Sequence, residues 1–319
     1  MRFRTSQLLG ISILWISLIL VLPGLAQYRE YYFYGKVLDT QKNPLEKVEI
    51  ALRDVETSRS YFVKTNKKGE FKFAGLPHGI YKVTFTKEGY ATKEDEWRFE
   101  THQDSMQKTE IPDIVLVSLA QIQQQAQMKQ MQGVVKEAAD KIGQRDYDGA
   151  IALLQGVLEK DPKEINALYL IGLSYARKKM YPEAMGALTQ VIQSSPKFHP
   201  AYFELAICYQ QQNDIDKALE FYRKTLDLDP NNPDAAYNSG LILFGQNRVD
   251  EALALFEKAL SLRPDDPAYL EMAGRCYINQ AKFEKAIEYL EKAKAGYTDQ
   301  ERVKFLDDLI TKLKEQIKK

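Results

Sequence analysis

The sequence predicts a multidomain protein of the β-then-α class, in which an antiparallel β-sandwich precedes an α-solenoid of helical hairpins. Apolar and polar residues alternate over residues 32–117, as they do in strands with one buried face. Further along the chain, four prolines recur at one fixed interval, at Pro162, Pro196, Pro230 and Pro264. We call this interval the repeat period. Its length is typical of helix pairs stacked in an array, so the second half of the chain is predicted to be such an array.

The N-terminal segment, residues 1–26, has the layout of a secretory signal peptide. Two arginines precede an uncharged apolar run over residues 8–22, and small residues stand at Gly24 and Ala26. The run is shorter than the ~20 residues that cross a bilayer comfortably. We therefore expect cleavage between Ala26 and Gln27, no membrane span in the mature chain, and export to the periplasm of a bacterial envelope or to the outside. Retention as an uncleaved N-terminal membrane anchor is the alternative.

Residues 27–117 consist of short strand-like segments. Val48, Ile50 and Leu52 alternate with residues whose side chains would point the other way, and turns rich in Asn, Pro and Gly separate this segment from its neighbours. Strands of this kind, with no helix between them, predict an antiparallel sandwich.

The same segment resembles the carboxypeptidase regulatory-like domain, a transthyretin-like sandwich. The matching residues are Gly35, Val37, Asp39, Pro44, Leu45, Val48, Ile50, Thr65, Gly69, Phe71, Phe73, Leu76, Pro77, Gly79, Tyr81, Val83, Phe85, Gly89 and Tyr90. The resemblance implies a non-catalytic accessory domain of an exported protein, and nothing in the chain resembles the peptidase domain that gives the family its name.

A glutamine-rich segment, residues 118–130, connects the sandwich to the repeats. Leu119, Ile122 and Met128 keep a rough helical spacing within it. We expect one long helix that runs into the first repeat and acts as a semi-rigid connector, with a disordered segment as the alternative.

The repeat period extends beyond the prolines. Small residues share it, at Ala138, Gly172, Ala206, Gly240 and Gly274. Small side chains allow two antiparallel helices to approach closely, and proline ends the second helix of each pair. This pattern resembles the tetratricopeptide repeat (TPR). It divides the chain into five units: residues 131–164, 165–198, 199–232, 233–266 and 267–298. Residues 299–319 carry an apolar stripe at helical spacing and are predicted to form a capping helix.

Nothing in the composition indicates catalysis, a cofactor or a metal ion. The chain has 44 basic and 44 acidic residues, so no net charge favours binding to nucleic acid. The three histidines, His78, His102 and His199, have no partner ligand at metal-binding spacing. Cys208 and Cys276 are separated by a whole hairpin, which is too far for a disulfide. We therefore predict a protein that is not an enzyme.

The resemblance to TPR proteins implies a binding surface. In that family the first helix of each unit lines a concave groove, and ligands contact its second, fifth, ninth, twelfth and thirteenth positions. In this chain those positions give Tyr169, Leu173, Arg177, Phe203, Ile207, Gln210, Gln211, Tyr237, Leu241, Phe244, Glu271, Arg275 and Asn279. The ninth position is usually polar in the family, and here three consecutive units have an aliphatic residue there. The pattern predicts a protein partner that presents an apolar peptide or helix.

Two functions remain open at this point. One is a protein-interaction adaptor of the cell envelope, in which the repeats bind the partner. The other is a carbohydrate-binding or structural module, in which aromatic residues of the sandwich such as Tyr28, Tyr31, Tyr32, Tyr34 and Trp97 bind sugars and the repeats serve assembly. The aromatic residues at the fifth position of the units also have two interpretations, as ligand contacts or as packing residues. The oligomeric state is left undetermined by the sequence.

Overall fold

The structure, a computed structural model, describes residues 32–99 and 108–318. Within these residues eight strands come first and eleven helices follow, which confirms the predicted fold class. The chain divides into two units, Met1–Gln127 and Met128–Lys319. Among the described helices, none combines the length and the apolar character that crossing a membrane requires. The signal-peptide prediction, including the cleavage site at Ala26 and Gln27, lies outside the described residues.

The strands form two sheets that share one core. They are β1 (Tyr32–Asp39), β2 (Glu49–Asp54), β3 (Ser60–Lys64), β4 (Glu70–Ala74), β5 (Gly79–Thr86), β6 (Lys93–Phe99), β7 (Lys108–Glu110) and β8 (Ile114–Leu116). One sheet has the order β4-β1-β7, with β8 also paired to β1, and the other has the order β3-β2-β5-β6. Burial alternates along β2 and β4, so one face of each sheet points into the core. There Phe71 stacks on Trp97, with ring centroids 6.1 Å apart.

Strand β1 has parallel neighbours that the alternating pattern does not predict. It is antiparallel to β4, but β7 and β8 both run parallel to it. Strand β7 pairs with the beginning of β1 and β8 with its end, so one stretch of chain follows β1 along its length. Pro112 lies in the gap between the two short strands, where its missing N–H costs no ladder bond.

The helices pair as five antiparallel hairpins followed by one further helix. They are α1 (Leu119–Gly143), α2 (Tyr147–Leu158), α3 (Ile165–Arg177), α4 (Tyr181–Ser194), α5 (His199–Gln211), α6 (Ile215–Leu228), α7 (Pro233–Gly245), α8 (Val249–Leu262), α9 (Pro267–Asn279), α10 (Phe283–Gly296) and α11 (Gln300–Ile317). Helix α1 begins at the second residue of the glutamine-rich segment and includes the rest of it without a break. Leu306, Ile310 and Leu313 of α11 are buried, which accounts for the apolar stripe seen in the sequence.

Each hairpin crosses where a small residue meets a large one. A Cβ placed on Gly172 would lie 2.7 Å from Leu188, and one on Gly240 would lie 2.7 Å from Phe256. Real Cβ atoms do not approach so closely, so glycine is required for the observed helix separation. The large residues recur with the same period as the small ones, and all are fully buried: Leu154, Leu188, Tyr222, Phe256 and Leu290.

The turn inside each hairpin uses a left-handed residue. Positive φ angles between 55° and 64° recur with the repeat period, at Arg145, Lys179, Asn213, Asn247 and Ala281. The residue that follows donates its N–H back to the last turn of the first helix, as Met180 does to the Tyr175 carbonyl at 2.9 Å. This Schellman arrangement ends the first helix and reverses the chain. Its occupants are not glycines, so each turn carries some backbone strain.

Candidate ligand-binding groove

The predicted groove residues all lie on the first helices of units two to five. Helices α3, α5, α7 and α9 carry three, four, three and three of them respectively. Since first helices line the concave side of such an array, the repeat period brings the fifth and ninth positions of successive units together as two columns. The fifth-position column holds Tyr169, Phe203 and Tyr237, and the ninth-position column holds Leu173, Ile207 and Leu241. All six side chains are half-buried.

The aromatic residues of the fifth-position column contribute to packing. The Tyr169 ring lies 5.2 Å from that of Phe198, and the Phe203 ring lies 5.7 Å from that of Tyr222. Tyr237 contacts Tyr269 of the next unit, with ring centroids 4.8 Å apart. Burial raises the pKa of Tyr169 to about 12, so this hydroxyl stays protonated at neutral pH. These rings therefore stabilise the stack and leave part of their surface at the groove.

A buried carboxylate underlies the middle of the groove. Glu204 of α5 is 5% exposed, and its two oxygens accept hydrogen bonds from the Arg177 guanidinium at 3.3 Å. Burial raises the pKa of Glu204, and the Arg177 charge opposes that rise. The sequence-based site included Arg177 but not its partner. A lone acidic residue between Phe203 and Leu205 in an apolar helix was the available signal.

Two predicted polar groove residues are held by tyrosines. Gln210 accepts a hydrogen bond from the buried Tyr222 hydroxyl at 2.8 Å, so its amide is fixed next to the hairpin crossing. Gln211 is exposed and accepts a 3.5 Å contact from the Tyr181 hydroxyl. Phe244, at the end of α7, is half-buried against the core. The groove thus becomes polar toward the end of α5 and stays apolar at the end of α7.

The last unit differs from the others because its fifth position is buried. Glu271 is 1% exposed and receives hydrogen bonds from Arg275 at 2.9 Å, from Tyr297 at 3.0 Å and from the Nε of Arg302 at 2.9 Å. Two guanidiniums therefore cover this carboxylate, and it does not face solvent as the sequence-based site implied. Asn279, at the end of α9, is exposed.

The beginning of the array adds a site that the sequence-based prediction left out. A cavity of about 380 Å³ lies beside α1, lined by Met131, Val135 and Ala139 and by Glu164 and Asn166 at the start of α3. Val135 and Ala139 stand one repeat period before the first members of the two columns, so the cavity continues them into unit one. Extending the register by one period toward the N-terminus would have identified it.

Other residues considered from the sequence have structural roles or lie outside the described chain. Trp97 is buried in the sandwich core, whereas Tyr34 is 37% exposed. Cys208 and Cys276 are both buried free thiols, and burial raises the pKa of Cys208 to about 11. Tyr28, Tyr31 and His102 fall outside the described residues. Over residues 32–99 and 108–318, no three His, Cys, Asp or Glu side chains gather as a metal site would require.

Five stacked hairpins with a lined inner face define a helical-repeat module for protein–protein interaction. Models of the tetratricopeptide repeat match residues 135–197 and 175–241, and a model of the anaphase-promoting complex (cyclosome) subunit 3 matches residues 211–293. The carboxypeptidase regulatory-like domain matches residues 33–111. The chain therefore has TPR repeats after an N-terminal carboxypeptidase regulatory-like domain, and both kinds of domain are typically non-catalytic.

One solved structure shares the helical fold, and two others are similar over part of the chain. PilF of Pseudomonas aeruginosa is 16% identical, with a TM-score of 0.55 over 60% of this chain and 86% of its own. MamA is 23% identical, with a TM-score of 0.46 over 50% of this chain and 93% of its own. YrrB, described as a TPR protein with an unusual peptide-binding site, is 23% identical, with a TM-score of 0.47 over 55% and 90% of the two chains. Among curated protein sequences none matches this chain.

Proposed function

We propose that the protein is an exported interaction adaptor of the cell envelope whose concave groove binds an apolar peptide segment or helix. The observation that carries this proposal is the ninth-position column. Leu173, Ile207 and Leu241 are aliphatic residues on the inner helices, and none of the three is fully buried. A contiguous apolar surface that stays partly exposed usually marks an interaction site.

The residues around this column also favour an apolar ligand. The partly exposed rings of Tyr169, Phe203 and Tyr237 stand one helical turn before it, so two adjacent columns offer carbon surface. Arg177 and Glu204, which lie beside these columns on α3 and α5, form an ion pair with each other. A ligand in the middle units therefore gains from burying apolar side chains at alternate or helical spacing.

The test is a triple substitution, Leu173→Asn with Ile207→Asn and Leu241→Asn, in the full chain. Affinity capture from a native envelope extract should lose the partners that the unaltered protein recovers. Leu262→Asn is the matched control, because Leu262 is 37% exposed on the outer helix α8. Equal partner recovery by the triple variant and the control would contradict the proposal, provided that thermal melting shows both variants folded.

Export is part of the same proposal, and it rests on the N-terminal sequence pattern. A basic start, an apolar run over residues 8–22 and small residues at Gly24 and Ala26 support a cleaved leader. Cell fractionation followed by N-terminal sequencing should find a mature chain that begins at Gln27. A membrane-bound chain that still begins at Met1 would support the N-terminal anchor instead, and a cytosolic one would contradict export.

A second candidate function, sugar binding by the sandwich, is favoured by one observation. A cleft of about 600 Å³ is lined by Tyr34, Lys36, Glu70 and Lys72, which combines one exposed ring with polar groups. Sugar rings stack on such faces, but Trp97 is buried and does not contribute one. A glycan array probed with the full chain and with Tyr34→Ala should show binding that is lost in the variant if this function holds.

A further inference from the structure

Helix α11 has the register of a sixth inner helix. Phe305 stands one repeat period after Glu271 and two after Tyr237, and Leu309 stands one period after Arg275. Phe305 therefore occupies the fifth position, which is aromatic in units two, three and four. The sequence placed it just off the apolar stripe of a capping helix, and in the structure it is 45% exposed while Leu306 is buried.

The Phe305 ring lies close to two guanidiniums. The Cζ of Arg275 is 5.5 Å from the ring centroid, and the Cζ of Arg302 is 5.3 Å from it. Both distances are within the range of a cation–π contact. The side chains of Arg275 and Arg302 are 32% and 40% exposed, so each keeps part of its surface open to a ligand.

The charges of this cluster do not balance. Arg275 and Arg302 share one carboxylate, Glu271, so the three groups together carry one net positive charge. A further negative charge near this cluster is that of Asp266, since it affects the pKa of Tyr237, as the charges of Arg275 and Arg302 also do. Its carboxylate, however, is paired with Arg263 at 4.0 Å and accepts the N–H groups of Ala268 and Tyr269 at the start of α9. An additional carboxylate would be favoured beside the two arginines, because charge-assisted bonds to guanidinium are strong.

We propose that Phe305, Arg275 and Arg302 form the last ligand position of the groove and receive an acidic side chain next to an apolar one in the bound peptide. The inference rests on the proposed peptide-binding function and specifies the peptide: an apolar segment with an Asp or Glu at the end that meets α11. The apolar neighbour of that residue packs on Phe305, and the acid pairs with the open edges of the two guanidiniums.

The probe is a phage-displayed library of random peptides, panned on the full mature chain. Selected peptides should combine apolar residues with an Asp or Glu near one end. Synthetic, fluorescently labelled copies are then measured by anisotropy together with versions in which that acid is replaced by its amide. We expect about tenfold weaker binding of the amide version to the unaltered protein.

Protein variants place the acid on α11. Phe305→Ala and Arg302→Gln should each weaken binding of the acidic peptide about tenfold, whereas Lys304→Ala, on an exposed neighbour in the same helix, should not. In Arg302→Gln, binding of the amide peptide should change little. If Arg302→Gln loosens α11 in thermal melts, Phe305→Ala and the amide peptide still decide the matter, since neither removes a hydrogen bond to the buried Glu271.

The possible failures are distinguishable. Binding that falls in Leu173→Asn but is unchanged in Phe305→Ala and Arg302→Gln overturns this inference and leaves the proposed function intact. Equal affinity for the acidic and amide peptides on the unaltered protein has the same meaning. A library that yields no peptide overturns both.

Discussion

The sandwich and the repeat array bury aromatic residues in different ways. In the array, Tyr222 and Phe256 occupy the same place in successive units, each opposite a small residue at a helix crossing. In the sandwich, Phe71, Phe85 and Trp97 come from three strands and contact one another. Phe71 stacks on Trp97, and Phe85 meets Trp97 edge to face with ring centroids 5.8 Å apart. A repeated contact involves neighbouring units only, whereas the shared cluster connects three strands and both sheets. Burial of aromatic rings therefore gives local cooperativity in the repeat array and global cooperativity in the sandwich.

The largest expected effect compares Phe85→Ala with Phe256→Ala. Each change removes a fully buried ring and should cost about 3–5 kcal/mol of unfolding free energy. Hydrogen exchange should show protection lost across all sandwich strands in Phe85→Ala. In Phe256→Ala the loss should centre on α7, α8 and their direct neighbours. Uniform loss of protection over all helices of Phe256→Ala would contradict the nearest-neighbour view.

A smaller effect tests the helix crossings. Gly240→Ala should destabilise the array by about 1–3 kcal/mol, because the new Cβ would lie 2.7 Å from the Phe256 ring. Gly245→Ala, on the same helix with open space around it, should instead stabilise the helix by about 0.5–1 kcal/mol. Urea unfolding measures both. The same sign for both substitutions would show that helix propensity, not crossing distance, selects glycine in this column.

The left-handed turn positions should respond in the opposite direction. Ala281 has a φ of 55°, where a Cβ is disfavoured, so Ala281→Gly should stabilise the array by about 0.5–1 kcal/mol. The control Ala295→Gly, at an exposed helical position of α10, should destabilise it by about 1 kcal/mol. Thermal unfolding separates the two. A destabilising Ala281→Gly would show that the turn carries no strain.

The smallest effect is the pH dependence of stability, because burial and the Arg177 charge shift the pKa of Glu204 in opposite directions. Burial is the larger influence and raises the pKa of Glu204 above its unfolded value of about 4.3. Its contribution to stability is therefore fully present below that value and is lost as pH rises through the raised pKa. Relative to the unaltered protein, Glu204→Gln should gain stability as pH rises from 4 toward neutrality. Urea unfolding at several pH values measures the difference.

In the sandwich, Asp54 is a carboxylate whose pKa is shifted in the direction opposite to that of Glu204. The pKa of Asp54 is lowered, chiefly by the N–H of Thr57, which donates to its carboxylate at 2.9 Å. Stability from Asp54 is therefore present above its unfolded pKa of about 3.9 and is lost as pH falls through the lowered value. Asp54→Asn should thus differ from the unaltered protein at neutral pH and converge with it in acid. If the stability difference from the unaltered protein changes with pH in the same direction for Asp54→Asn and Glu204→Gln, the two carboxylates do not have pKa shifts of opposite sign.

The sequence predicted those parts of the molecule that recur. Several units at once support three predictions: the first helices of units two to five, the columns at their fifth and ninth positions, and the crossing glycines. Strands β7 and β8 have three residues each, too short to show a period of two, and their parallel pairing with β1 was not predicted. A periodic pattern also predicts where a residue lies on its helix without predicting which other residue it contacts. The contact between Arg302 and Glu271 joins two different positions of the repeat, so it follows no column and the burial of Glu271 was missed.

The matched columns of small and large residues have an evolutionary consequence. Because every unit presents the same surfaces to the next, loss or duplication of one whole repeat joins faces that already fit. The array can therefore change length in whole units, and each step that involves one of units two to four removes or adds one aromatic and one aliphatic residue along the groove. Selection for a longer or shorter partner segment can act through gene duplication alone, without first redesigning any core.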